Sequence, residues 1–233
     1  MRTRKVVVVG FLLTPVLSFA QNVKKTEKIF TDTFNLGNCE FSTTGRNQFF
    51  ILEPGYQLTL EGKEDGQQTK LVITVLNETK KIGNVETRIM EEKESVNGNI
   101  VEISRNYFAF CQQTSSIFYF GEAVDNYKNG KVSNHEGAWI AEGKNKAGLM
   151  MPGDILIGAR FYQEIAPGIA MDRAEIISIT EKLKTAAGAF SNCLKSEETT
   201  PLEPKNREYK IYAPGIGLIK DGELTLVNYG FVK

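Results

Sequence analysis

The side chain with the widest chemical repertoire occurs once: His135 is the single histidine of the 233 residues. Imidazole titrates near neutral pH and serves as general base, proton shuttle or metal ligand, so a hydrolytic centre in this chain would be built around it. No G-x-S-x-G elbow accompanies it, and His135-Glu136 runs into Gly-Ala-Trp where H-E-x-x-H would need a second histidine. A hydrolase using His135 therefore stands as the weaker alternative. The chain is expected to be non-enzymatic, with no catalytic residue and no cofactor.

The same histidine lies inside DNYKNGKVSNHE. There Asp125, Asn129, Gly130, Val132, Ser133 and Glu136 fall at positions 1, 5, 6, 8, 9 and 12 of a calcium-binding loop. Tyr127 stands where a further oxygen ligand belongs, and the flanks alternate like strands rather than helices. A tight hairpin turning at Asn129-Gly130 accounts for the same residues without an ion, so no metal ligand is assigned. The carboxylates of EEKES read similarly: neighbours on a strand point to opposite faces, which separates Glu91 from Glu92. Glu92 and Glu94 share a face, and a solvated one explains them. Met150, Met151 and Met171 lack the spacing of a soft copper site and read as fillers of irregular apolar gaps.

What remains is ring area. Tyr107, Phe108 and Phe110, then Phe118, Tyr119 and Phe120, load the middle of the chain with aromatics on both faces of their strands. Such a sheet is either covered on both sides or leaves an apolar patch, and a patch marks a ligand or partner site. Phe118, Phe120, Trp139, Met150, Met151 and Tyr162 form the expected ligand surface.

The elements that must carry these side chains are strands. From Gln48 onward polar and apolar residues alternate, and Asp65-Gly66, Asn97-Gly98, Asn129-Gly130 and Asp221-Gly222 each sit between alternating segments. Asp-Gly and Asn-Gly tolerate the positive φ of a two-residue hairpin turn. Consecutive strands joined this way make an all-β antiparallel meander, because parallel strands would need long crossovers. The strands from Tyr56 to Tyr127 are long, so a strongly curved sheet, a half-barrel or a partly open barrel is the expected architecture. A faint echo at a spacing of 105 residues, Gly83 with Gly188 and Tyr107 with Tyr212, suggests two similar meander halves, about 48–127 and 152–233. Between them Gly143 to Gly168 reads as the longest irregular stretch, a flap closing one end or a loop carrying specificity.

Arg2, Arg4 and Lys5, an apolar Val6–Leu17 and the small-x-small Ser18-Phe19-Ala20 have the form of a secretory leader cleaved after Ala20, too short to span a bilayer. The expected product is a single β domain over 21–233, exported to a bacterial periplasm or outside the cell. Without the leader's three cations, the remaining basic residues are outnumbered by 28 acidic ones. No basic stripe is left for nucleic acid. Of Cys39, Cys111 and Cys193, all three free and one disulfide are both compatible with export.

The C-terminal run NCLKSEETTPLEP, followed by YKIYAPGIGLIKDGELTLVNYG, resembles a group of uncharacterised secreted bacterial proteins that share a Tyr-Ala-Pro-Gly-Ile/Val-Gly-Leu segment. The likeness extends upstream through MMPGDILIGARFYQEIAPGIAMDRAEII and YFGEAVDNYKNGKVSNHEGAW. It implies an all-β fold akin to the half-barrels of periplasmic lipoprotein carriers, and no reaction. Lipid, another apolar or amphipathic ligand, or an envelope protein is the expected partner. A purely structural domain with a self-filled core is the alternative.

Overall fold

A computed structural model describes residues 28–232; the leader-like stretch lies outside the described residues. A 3-10 turn at Leu36–Asn38 and three two-residue strands, β1 (Phe41–Ser42), β2 (Gly45–Arg46) and β3 (Ile51–Leu52), lead into the first meander. That meander comprises β4 (Tyr56–Glu64), β5 (Gln67–Ile82), β6 (Val85–Val96), β7 (Asn99–Cys111) and β8 (Ser116–Lys128). Five shorter strands follow: β9 (Lys131–Asn134), β10 (Trp139–Ile140), β11 (Lys146–Met151), β12 (Arg160–Tyr162) and β13 (Glu164–Ile165). The second meander is β14 (Arg173–Thr185), β15 (Gly188–Thr199), β16 (Glu208–Ala213), β17 (Gly217–Asp221) and β18 (Leu224–Phe231).

The turns follow from their residues. Both positions have positive φ at Asp65-Gly66 (49° and 79°), Asn97-Gly98 (49° and 81°) and Asn129-Gly130 (54° and 72°), as a type I′ turn requires. The fourth pair behaves differently, because Asp221 ends β17 and the turn is Gly222-Glu223, with only the glycine at positive φ (50°). Gly83-Asn84 joins β5 to β6 in the same glycine-first manner.

The sheet is an antiparallel meander rolled nearly into a barrel. Its order is β12-β14-β15-β16-β17-β18-β4-β5-β6-β7-β8-β11-β13, so the two meanders lie side by side and join where β18 pairs with β4. The stretch that reads as irregular in the sequence supplies the closure. Within Arg160–Ile165 the first residues pair with β14 and the last with β11, so both ends of the sheet meet on one piece of chain. Gly148 lets β11 come close there: a Cβ at that position would lie 2.1 Å from the Gln163 carbonyl oxygen. The N-terminal segment straps the outside of this seam. Thr31 exchanges backbone hydrogen bonds with Arg160 and Tyr162, and the Lys28 ammonium binds Glu175 and Glu197 at 2.5 and 3.1 Å. The opposite flank of β14 is less regular, with three register shifts against β15 and exposed Thr180, Lys182 and Lys184.

The two-sided aromatics are covered on both sides. Phe108 and Tyr119 face the interior, ring centroids 4.6 Å apart, within the main core that also holds Leu52, Leu60, Ile117, Leu194 and Leu226. Tyr107, Phe118 and Phe120 face outward under a second apolar layer formed by Phe34, Leu36 and Phe41. A disulfide from Cys39 to Cys111 pins that cover to the end of β7, and Cys193 is free and buried.

Candidate functional site

Inside the barrel the apolar core gives way to carboxylates. On β6, alternation points Met90, Glu92 and Glu94 to one face, and the β7 partners of Glu92 and Glu94 are Ser104 and Glu102. That face is the inner wall, not the solvated one that the sequence suggests for Glu92 and Glu94. On β8 a bulge changes the arithmetic. Tyr119 pairs with Phe108 and Glu122 with Asn106, so two β8 residues stand against one on β7. Gly121 absorbs the bulge at φ 131°, with the carbonyl of Trp139 2.3 Å from where its Cβ would be. Tyr119 and Glu122, three apart, therefore both point inward, where simple alternation would send Glu122 out. From the other half come Ser196 and Glu198 on β15 and Lys210 on β16, Ser196 lying opposite Lys210 and Asp221 of β17 opposite it on the other side. Gln163 and Glu164 arrive on the closing segment.

These side chains enclose a chamber of about 260 Å³, lined by Glu92, Glu102, Glu122, Glu164, Asp172 and Glu198 together with Lys210. It opens outward into a space of about 320 Å³ between the Glu164–Asp172 stretch and the Thr199–Glu208 loop, with the exposed Ile169 and Leu202 at its rim. Inward, Glu92, Met150 and Lys210 also line an apolar slot of about 60 Å³ among Phe49, Phe50, Tyr56, Ile73 and Val75.

The electrostatics are lopsided. Among the described residues Lys210 is the chamber's one lining cation, and it binds Glu198 at 3.3 Å and Asp221 at 3.5 Å. Burial works against its charge, but Asp221 and Glu198 hold its pKa well above the usual lysine value. Burial pushes the Glu92 carboxyl up to about 7, with Lys210 opposing and Asp221 and Glu102 adding to it. Burial and the neighbouring Glu92 carry Glu122 up to about 7 as well. Glu164 is raised further by burial and by Glu122, and Glu198 is raised by burial. Asp172 is exposed at the mouth, where solvent screens it. Several donors are already engaged: Tyr119 donates to Asn106 Oδ1 at 2.5 Å, Asn106 to Ser104, and Gln163 Nε2 to Glu198. Trp139, 4% exposed and packed edge-on against Tyr119, leaves its indole N–H without a hydrogen-bond partner among the described residues; that group faces the Glu164 carboxyl and lowers its proton affinity without reaching hydrogen-bond geometry.

Of the expected ligand surface, only Met150 lines the chamber and slot, with Trp139 behind the wall. Phe118 and Phe120 face the outer layer, Met151 is closed into the core, and Tyr162 lies on the seam against Phe30 and Arg173. The expected surface and this cavity thus share only Met150: the chamber is largely polar with Phe108 and Tyr119 as its rings, and the slot has Phe49, Phe50, Tyr56 and Tyr212. Asp125 binds Arg105 at 3.4 Å and His135 at 3.0 Å, Ser133 donates to the Asn126 carbonyl, and Asn129 is a turn residue. Glu136 is exposed on the same hairpin. Among the described residues no three His, Cys, Asp or Glu side chains gather as a metal site. His135 belongs to this outer hairpin and lines neither chamber nor slot. No family model, curated protein or solved structure matches this chain.

Proposed function

We propose that this is an exported, non-enzymatic binding protein that takes a small amphipathic ligand into the barrel, its apolar part in the slot and its polar part in the chamber. The observation that carries this reading is their continuity: Glu92, Met150 and Lys210 line both. A self-filled structural core has no use for a polar void, since burying carboxyl groups without partners costs several kcal/mol in total, of order 1–3 each. The closing segment and the rim residues Ile169 and Leu202 give a route in from solvent. Export fits the leader-like sequence, and the Cys39–Cys111 disulfide is of the kind that persists in oxidising compartments.

The lone tryptophan reports on the site, because Trp139 packs on Tyr119, which lines the chamber. A hydrophobic reporter dye should bind saturably and perturb Trp139 fluorescence, and straight-chain amphiphiles should displace it. Val75→Trp, which fills the slot, should abolish displacement while the far-ultraviolet dichroism stays that of a β protein. Failure of every amphiphile to displace the dye or shift the fluorescence would overturn the reading.

A further inference from the structure

We propose that the polar end this chamber accepts is a primary ammonium group, held between the carboxyls of Glu92, Glu122 and Glu164, so that the ligand is an alkylamine or a longer amine built on one. The inference rests on the binding reading above and narrows it to a chemical class.

The first warrant is complementarity. Glu92, Glu122 and Glu164 line the chamber without a cation of their own, because Lys210 is committed to Glu198 and Asp221. Most of the neutral donors are committed too: Tyr119 serves Asn106, Asn106 serves Ser104, and Gln163 serves Glu198, which leaves the Ser104 hydroxyl. Once ionised, these carboxyls offer a ligand acceptors and negative charge, which a ligand bringing donors and positive charge would match. A primary ammonium carries three N–H donors on one compact cation. Phosphate, sulfate or carboxylate heads would meet like charge, and a quaternary ammonium has no N–H to give.

The second warrant is a buried donor behind the chamber wall. The Trp139 indole N–H is buried, partnerless and aimed at Glu164. An ionised Glu164 is the acceptor it lacks, and a cation in the chamber is what would keep that carboxyl ionised. The slot beyond Glu92 and Met150 is apolar, which suits an alkyl chain trailing from the head.

Binding should therefore release protons. Glu92 faces Lys210, Asp221, Glu102 and Glu198; Glu122 faces Glu92, Tyr119, Glu102 and Asp172; Glu164 faces Glu122, Asp172 and Trp139. In this field the empty site holds protons at neutral pH, and a bound ammonium expels them. The alkylammonium itself stays charged, its pKa being near the ~10.4 of lysine.

The test is calorimetric titration of the protein with n-octylamine, n-octanol, octanoate and octyltrimethylammonium at pH 6 and pH 8. Octylamine should bind best at pH 8, by roughly tenfold over octanol, and should tighten from pH 6 to pH 8 by roughly tenfold for each carboxyl that titrates near 7. Heats in buffers of different ionisation enthalpy should show proton release for octylamine alone. Glu122→Gln and Glu164→Gln should each remove most of the preference for octylamine over octanol and most of its pH dependence. Because Gln relieves like-charge repulsion these variants should fold, and the pH series on the unaltered protein stands without them. Octanol or octyltrimethylammonium binding as tightly as octylamine, or octylamine binding with no pH dependence, would overturn the ammonium inference and leave the binding reading intact. Failure of all four to bind would overturn both.

Discussion

Glu122 shows how far one residue's environment can depart from its sequence neighbourhood. Its carboxyl lies in the chamber only because the bulge at Gly121 turns it inward, and burial there beside Glu92 raises its pKa from 4.5 to about 7. The folded state thus holds this proton more tightly than the unfolded chain does between pH 4.5 and 7. The stabilisation it gives is complete below pH 4.5 and is lost as the pH rises through about 7, a change of at most on the order of 3 kcal/mol. Glu92 follows the same sign. The melting temperature should therefore fall between pH 5 and pH 8, and Glu122→Gln should flatten that fall and stabilise the protein at pH 8 by up to about 3 kcal/mol. Differential scanning calorimetry across the series decides it, and an equally steep slope in the variant would place the shift elsewhere. Nothing near Glu122 in the sequence announces this role. A bulge leaves no reliable mark except a glycine within an aromatic strand, and FYFGEAV carries one.

At the scale of elements, the hairpins were legible and their cover was not. Asp-Gly and Asn-Gly encode a local φ requirement, so Asp65-Gly66, Asn97-Gly98 and Asn129-Gly130 turn where the dipeptides stand. Asp221-Gly222 slips by a residue because glycine alone satisfies a turn with one positive φ, leaving Asp221 free to extend β17 toward Lys210. The layer over Phe118 and Phe120 is a different matter, since Phe34 and Phe41 come from a stretch without periodicity and are held by a pairing, Cys39 with Cys111, that spacing alone cannot choose. That bond closes a loop of 72 residues. In the chain-entropy view it stabilises by about 4 kcal/mol. Urea unfolding with and without reductant should differ by that amount, with the same loss in a Cys39→Ser, Cys111→Ser double variant. A reduced protein as stable as the oxidised one would mean that the aromatic layer holds itself in place.

Across the whole molecule, closure is the feature on which the chamber depends, since its wall draws on both meanders and on the segment Arg160–Ile165 that joins their ends. The rolled all-β meander could be read from long alternating strands and short turns. The chamber could not, because its carboxylates come from strands scattered over the chain and each alternates locally as a solvated face would. Even SEE hides a division of labour, with Glu197 outside in an ion-paired cluster with Lys28 and Arg207 and Glu198 inside with Lys210. Closure can be tested at Gly148, where any side chain meets the Gln163 carbonyl. Gly148→Val should destabilise by about 3 kcal/mol and abolish ligand-induced changes in Trp139 fluorescence, whereas Gly37→Val, in the exposed 3-10 turn with open space around it and no positive φ, should leave those changes intact. A Gly148→Val protein that still binds would show that the seam is dispensable. The flank of β14 past Ile176 carries a further consequence. No other strand pairs with that side among the described residues, yet the three register shifts against β15 on the other side bend the strand, and exposed Lys182 and Lys184 flank the edge, so it is not a flat, regularly spaced ladder. A second molecule therefore finds no template there for strand-by-strand addition, and concentrated solutions of the protein should remain monodisperse instead of growing into fibrils.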